Sequence, residues 1–175
     1  MTTSGPPLIE LHPYAPTDLD LLCRANTPEL MDQMGGVEDY AGVMRRHERY
    51  LHLPADQQGQ QFRVTIPGHL EGVGMVGWWA QVDQPIRTLE CGWSIEAPYR
   101  GRGIASAAAL VMQKLLRASG DLADLHAYPR HDNAASNAVC RKAGFTLVGT
   151  VTDPSVGGGE IVLNDWVCRL ASRTD

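Results

Sequence analysis

The chain has 175 residues, 43% apolar and 20% charged, which is enough length and apolar content to bury a core of its own. A net charge of −5 argues against broad nucleic-acid binding, though not against one anionic ligand held locally. No run of about eighteen apolar residues is present, so no membrane-crossing helix is expected. Four scattered cysteines without a C-x-x-C pair argue against a disulfide framework or a zinc site.

In chain order, Met1 to Pro7 is polar and rich in Pro and Gly. It reads as a loose tail without the basic-then-apolar order of a signal peptide, and residues 8–175 read as a single domain. Leu8 to Pro13 reads as a short first strand. Thr17, with Asp18 and Asp20 behind it, is placed to cap a helix through about Ala25. Asp39 to Leu51 has helical spacing in Tyr40, Val43, Met44, His47, Tyr50 and Leu51, closed by Pro54. Phe62 to Ile66 alternates and ends at Pro67-Gly68, a hairpin signal. Gly72 to Val82 and Arg87 to Ile95 are the next strands. A helix then opens near Gly101 and runs to about Ser119, with Ile104, Ala108, Val111, Met112 and Leu115 on one face. Leu122 to Tyr128 reads as a strand and Ala134 to Ala143 as a helix stopped by Gly144. Phe145 to Val151 and Glu160 to Leu170 are the last strands, joined by a flexible Asp153 to Gly159. Cys23, Cys91, Cys140 and Cys168 read as buried or half-buried thiols in a reducing, cytoplasmic setting. The order predicts an α/β (mixed α+β) fold: a central twisted mixed sheet of about six to seven strands, flanked by about four helices on both faces.

The stretch with most chemistry in it is Tyr99-Arg100-Gly101-Arg102-Gly103-Ile104-Ala105, between a strand and a helix start. A helix start leaves backbone N–H groups unpaired at the positive end of the macrodipole, and so makes a seat for phosphate. The glycines allow close backbone approach, and Arg100 and Arg102 add charge. No G-x-x-x-x-G-K-[ST] loop is present. Gly101-x-Gly103 is followed by Ser106 at the sixth position and lies past the middle of the chain, which leaves a dinucleotide fingerprint as a minor alternative.

Arg100, Gly103 and Ala105 stand as R-x-x-G-x-A. Downstream comes Asn133-Ala134-Ala135-Ser136-Asn137-Ala138-Val139-Cys140-Arg141-Lys142-Ala143-Gly144-Phe145. The pair resembles the acetyl-CoA pyrophosphate turn and the later N-x-x-S…K-x-G-F helix of the GNAT superfamily of N-acetyltransferases. It is most similar to the RimJ/RimL-like branch, which includes ribosomal-protein N-terminal acetyltransferases. Thr88 to Trp93 and Thr27 to Met34 resemble that branch too, and the likeness covers roughly residues 8 to 170.

The resemblance implies direct acetyl transfer from acetyl-CoA to a primary amine in a ternary complex. A protein N-terminal α-amine is the favoured acceptor and a small-molecule amine the next; neither nucleic acid nor membrane is an expected partner, and a homodimer through the late strands stays open. Glu90 would lie beside the acceptor as a base, its alternative being a strand-end carboxylate with a cross-strand partner. Backbone groups at Ser94 and Ile95 would hold the pantetheine arm or the oxyanion. Residues Arg100, Gly101, Arg102, Gly103, Ile104 and Ala105 would grip the pyrophosphate, with Gly103 leaving room for it. Asn133 is a helix cap that would also reach the pantetheine arm. Ser136 would point near the thioester sulfur, as an acid for the leaving thiolate. Many relatives carry a tyrosine where Cys140 stands, and Cys140 itself reads as a packed small residue.

One of Trp78 and Trp79 faces out, and with Trp93 it walls the acceptor site or simply packs. Glu96 reads as a solvated turn residue. Asp32, Glu38, Asp39 and Glu48 would suit a cationic acceptor or form a solvated helix face. The six histidines share no metal-ligand spacing. Two readings of other classes remain: a non-catalytic acyl-CoA-binding module of the same fold, and a nucleotide-binding regulatory domain.

Overall fold

The computed structural model describes residues 5, 7–32, 35–55, 58–81, 86–121, 123–153 and 160–171. Its strands are β1 (Glu10–Pro13), β2 (Gly59–Ile66), β3 (His69–Gln81), β4 (Thr88–Ile95), β5 (Asp124–Ala127), β6 (Thr146–Asp153) and β7 (Ile161–Arg169). They form one seven-stranded sheet in the order β1-β2-β3-β4-β5-β7-β6. Among the described strands only β4 and β5 pair in parallel. The helices are α1 (Leu19–Ala25), α2 (Pro28–Met31), α3 (Tyr40–His52), α4 (Ile104–Ser119) and α5 (Ala134–Lys142). Seven strands and five helices fulfil the expected mixed architecture.

Local chemistry sets the boundaries. Gly68, at φ 84°, turns the β2–β3 hairpin that pairs Ile66 with His69. The Asp39 carboxylate caps α3 by accepting from the Gly42 N–H at 2.7 Å. Helices cover both faces, as two separate cores record. Under α4 and α5 lie Val64, Val76, Leu89, Ile104, Ala108, Met112, Leu125 and Cys140, all buried. Under α1 and α3 lie Tyr14, Leu21, Leu22, Val43, Tyr50 and Met75. Neighbouring Met75 and Val76 belong to opposite cores, as the pleat requires.

Several expectations need correction. Thr17 lies inside a 3-10 turn, Pro16–Asp18, and does not cap α1. Asp18 organises the turn instead: its Oδ2 accepts from the Ala15 N–H at 2.9 Å and its Oδ1 from Arg63 Nη1 at 2.8 Å. Helix α2 was not expected. Helix α4 opens at Ile104, three residues after Gly101, and its inward face carries Leu116, while Leu115 is exposed. Glu96 is not solvated, because its Oε1 accepts from Arg24 Nε at 2.8 Å. Arg24 also pairs with Asp20 and donates to the Gly72 carbonyl at 3.1 Å. Cys23 is exposed, whereas the other three thiols are buried. Gln33, Met34, Val82, Leu122 and residues 154–159 fall outside the described residues, as does the expected tail apart from Gly5 and Pro7. Among the described residues no helix is long and apolar enough to cross a membrane.

Candidate active site

The site grows from an interrupted pairing. The parallel ladder of β4 with β5 holds only at Leu89–Leu125 and Glu90–His126. Beyond Glu90, β4 stays paired with β3 through Ile95, but among the described residues no strand pairs with its other edge. After Ala127 the chain passes through Tyr128-Pro129-Arg130 to α5, and the starts of α4 and α5 both line the space beside Ser94 and Ile95.

The turn before α4 is built on two left-handed residues, Gly101 at φ 73° and Gly103 at φ 78°. Gly103 is the N-cap and has no side-chain acceptor. The first intrahelical bond runs from the Ala107 N–H to the Gly103 carbonyl at 3.0 Å. The N–H groups of Ile104, Ala105 and Ser106 are therefore left for water or an anion. They border a cavity of about 420 Å³ whose wall includes Ser94, Ile95, Arg100, Gly101, Gly103, Ile104 and Ala105. A Cβ on Gly103 would meet Pro7 Cδ at 3.6 Å, an ordinary contact, so the demand for glycine here is conformational first. Arg100 lines the cavity while its Nε donates to the Ile95 carbonyl at 2.9 Å. Arg102 is not part of that wall; its guanidinium lies 5.8 Å above the Tyr99 ring.

A second cavity, about 270 Å³, lies on the α1–α3 side. Glu90, Trp79 and Trp93 line it, with Tyr128 and Arg46. Trp79 is thus the outward-facing member of the tryptophan pair, while Trp78 packs on the main core. The two cavities share Leu30, Trp93, Ser94, Asn133 and Ser136, so they adjoin along these residues. Glu90, Ser94, Asn133 and Ser136 are therefore brought together, with Ile95 and the α4 turn along one side.

Burial pushes the Glu90 carboxyl above the usual carboxylate range, against the opposing pull of hydrogen bonds from Gln81 and Trp79. Gln81 Nε2 stands 3.5 Å from both Glu90 Oε2 and the Tyr128 hydroxyl. Thr88 holds that amide in place by donating to its Oε1 at 2.7 Å. The Tyr128 hydroxyl lies 3.1 Å from His126 Nδ1, itself 2.8 Å from Asp165 Oδ1. Asn133 caps α5, its Oδ1 accepting from the Ser136 N–H at 3.0 Å. Cys140 is fully buried, and burial pushes its thiol up to about 12, the state of a packed side chain rather than a nucleophile.

Three residues of the site carry weight that sequence reasoning did not assign. Asn137, 5% exposed, donates to the carbonyls of Arg130 at 2.9 Å and Asn133 at 2.8 Å. Its Oδ1 accepts from Asn164 Nδ2 and Trp166 Nε1, both at 2.8 Å, which locks α5 onto β7. Its helical spacing from Cys140 marks the same inward face. Arg46 is placed by Val43 and Tyr50 on the buried face of α3. Tyr128 had no distinguishing signal. Of the acidic residues expected to meet a cation, Glu38 pairs with Arg46 and Asp39 is the α3 cap. Among the described residues no group of three His, Cys, Asp or Glu is placed to hold a metal.

A family model described as an acetyltransferase (GNAT) domain matches residues 9–146. No curated protein matches the chain. Among solved structures, an acetyl transferase from Salmonella typhimurium that modifies the N-terminal serine of 50S ribosomal subunit protein L7/L12 is 19% identical, with a TM-score of 0.78 over 92% of this chain and 94% of its own. A spermidine N-acetyltransferase from Vibrio cholerae, in complex with CoA and spermine, is 16% identical, with a TM-score of 0.76 over 93% and 95% of the two chains. The aminoglycoside acetyltransferase AAC(6')-Ib, in complex with coenzyme A, is 19% identical, with a TM-score of 0.74 over 93% and 95%. At such identities the likeness is one of fold. The family match, however, runs from the residue before β1 to the first residue of β6 and takes in β4, the α4 turn and α5, and on that ground the chain belongs to the GNAT family of acetyltransferases.

Proposed function

We propose that the protein is an N-acetyltransferase that uses acetyl-CoA and a primary amine together, each in its own cavity. The observation that carries this is the junction of the two cavities at Ser94, Asn133 and Ser136, with a carboxyl on one side and an uncapped helix start on the other. The helix start and the unpaired edge of β4 suit an anionic cofactor with an extended arm. Acetyl-CoA, when bound, supplies the acetyl group as a thioester.

In this reading the N–H groups of Ile104 and Ala105, with the backbone of Arg100 to Gly103, hold the pyrophosphate. Backbone groups of Ser94 and Ile95 hold the arm or the developing oxyanion, and a donor so placed is worth about 3–4 kcal/mol in the transition state. Asn133 keeps one amide end for the arm while its Oδ1 caps the helix. Glu90 accepts the proton of the incoming ammonium, directly or through water, because only the neutral amine has a lone pair to attack with. Ser136, at the junction, gives a proton to the departing sulfur. Trp79 and Trp93 wall the acceptor side. A cavity of about 270 Å³ accepts a chain terminus or a small amine, and the RimJ/RimL-like motifs favour a protein N-terminal α-amine.

The test is an acceptor panel of short N-terminal peptides and small amines, read by release of free thiol. Amine-dependent release is expected, and Glu90→Gln should lower turnover at neutral pH by roughly a hundredfold while acetyl-CoA affinity is kept. Turnover unchanged in that variant removes Glu90 from the mechanism. Normal acetyl-CoA binding without thiol release for any amine would leave the non-catalytic module as the better account.

A further inference from the structure

Arg46 stands on the wall of the Glu90 cavity and is only 7% exposed. A guanidinium carries five N–H donors in a planar fork. Here Nη1 donates to Met31 Sδ at 3.5 Å, a weak acceptor, and Nε and Nη2 have no hydrogen-bond partner among the described residues. Glu38 Oε2 lies 2.9 Å from Nη2, yet neither atom is hydrogen-bonded, so the two charges are in contact without directed N–H···O geometry. Nε and Nη2 form one edge of the fork, the edge that takes a carboxylate side-on through two parallel bonds.

The rest of the wall narrows the choice of ligand. Arg130, the other cation on it, is engaged with Asp132 through Nε at 3.1 Å and Nη2 at 3.0 Å. Among the described residues of that wall Glu90 is the only carboxylate, and it is assigned to the reacting amine. Glu38, Asp39 and Asp132 do not line the cavity, so with Glu90 taken by the reacting amine a second ammonium on the acceptor would meet two arginines and no carboxylate of its own.

Resting on the reading of this cavity as the acceptor pocket, we propose that the acceptor carries a carboxylate close to its reacting amine, and that Arg46 reads it. The amine goes to Glu90 and the carboxylate takes the Nε–Nη2 edge of the guanidinium, in place of the undirected Glu38 contact at Nη2. Two sources share this chemistry: the α-carboxylate of a free amino acid, and the side chain of an acidic residue at or next to a peptide N-terminus.

The experiment uses the full chain with acetyl-CoA and matched acceptor pairs. One arm compares α-amino acids with their α-carboxamides; the other compares peptides beginning with Asp or Glu against Asn or Gln; spermidine is the cationic control. The expected result is about a tenfold higher kcat/KM for the carboxylate member in one arm, which then names the source. Arg46→Gln should raise KM for that member about tenfold more than for its neutral partner, with Arg46→Lys intermediate. Equal kcat/KM within every pair, preference for spermidine, or an Arg46→Gln loss that falls alike on both members overturns the proposal. If Arg46→Gln does not fold, the wild-type pairs and Arg46→Lys decide alone. Acetylation of amines without carboxylate preference sinks this inference only, whereas no acetylation of any amine removes the underlying transferase reading and this inference with it.

Discussion

Replacing Asn137 by Ala should cost the protein about 3 kcal/mol, and the figure follows from what the amide holds. Its four hydrogen bonds join the Arg130 and Asn133 carbonyls to Asn164 and Trp166. Trp166 is 6% exposed, so its indole N–H would be left buried without an acceptor, a loss of about 1–3 kcal/mol. The two carbonyls and Asn164 are only half-buried, and water partly replaces their bonds at a further cost of about 1 kcal/mol. For a chain of this size that corresponds to a fall in Tm of roughly 6–12 °C. Urea unfolding followed by tryptophan fluorescence should show a lower midpoint at unchanged m. Asn137→Asp keeps both acceptor bonds but sets a carboxylate against two carbonyls, which raises its pKa in the folded state. Its stability relative to wild type should therefore be best at low pH and be lost as pH rises through that raised pKa. A loss below about 1 kcal/mol for Asn137→Ala would refute the reasoning, since one unsatisfied buried indole already exceeds it.

Other outcomes follow from the same geometry. Gly101→Ala and Gly103→Ala each put a side chain at φ above 70° and should cost about 1–2 kcal/mol, whereas Gly149→Ala, with open space and no positive φ, should cost almost nothing. Equal thermal shifts for all three would remove the conformational argument, and Gly103→Val should in addition abolish acetyl-CoA binding. If Glu90 is the base, kcat/KM should rise with pH through a limb above the usual Glu value of about 4.3, and Glu90→Gln should flatten it. Because burial raises its folded pKa, the stability Glu90 contributes is complete below the unfolded value and fades as pH rises through the folded one. A limb that persists in Glu90→Gln belongs to another group. Iodoacetamide should label Cys23 in the native protein and all four cysteines only after unfolding, a difference that mass spectrometry reads directly.

What was legible in the sequence was local. The glycines of the α4 turn and the Asn133 cap each set backbone geometry within a few residues, so their neighbourhood sufficed. Thr27-Pro28 is an equally local signal for α2, whose cap accepts from the Leu30 N–H at 3.4 Å, but its four residues carry no periodicity. Adjacent leucines explain the slip on α4: at 100° per residue, Leu115 and Leu116 fit almost the same stripe, and packing against the sheet chose between them. Contacts between distant residues left no trace. Arg24 meets Glu96 across 72 positions and Arg63 meets Asp18 across 45, so neither burial was foreseeable. In the site, Glu90, Ser94, Asn133 and Ser136 were named from motifs, and Arg102 was named with them although it turns to Tyr99. Arg46 lies three residues after Val43 and four before Tyr50, spacing enough to mark it as inward.

The side chain of Asn26 grips the main chain of Glu38 from both sides, donating to its carbonyl at 2.8 Å and accepting from its N–H at 3.0 Å. The chain thus leaves and returns through one knot, and what hangs from the knot includes Glu29 on the larger cavity, Met31 on the Glu90 cavity and Leu30 on both. A lobe tied off in this way can be exchanged for another of different length or polarity at little entropic penalty, because its ends are already neighbours. The sheet and the α4 turn would keep their shape through such an exchange. Drift in acceptor preference among proteins built like this one should therefore concentrate between positions 27 and 37, with the clasp itself held constant.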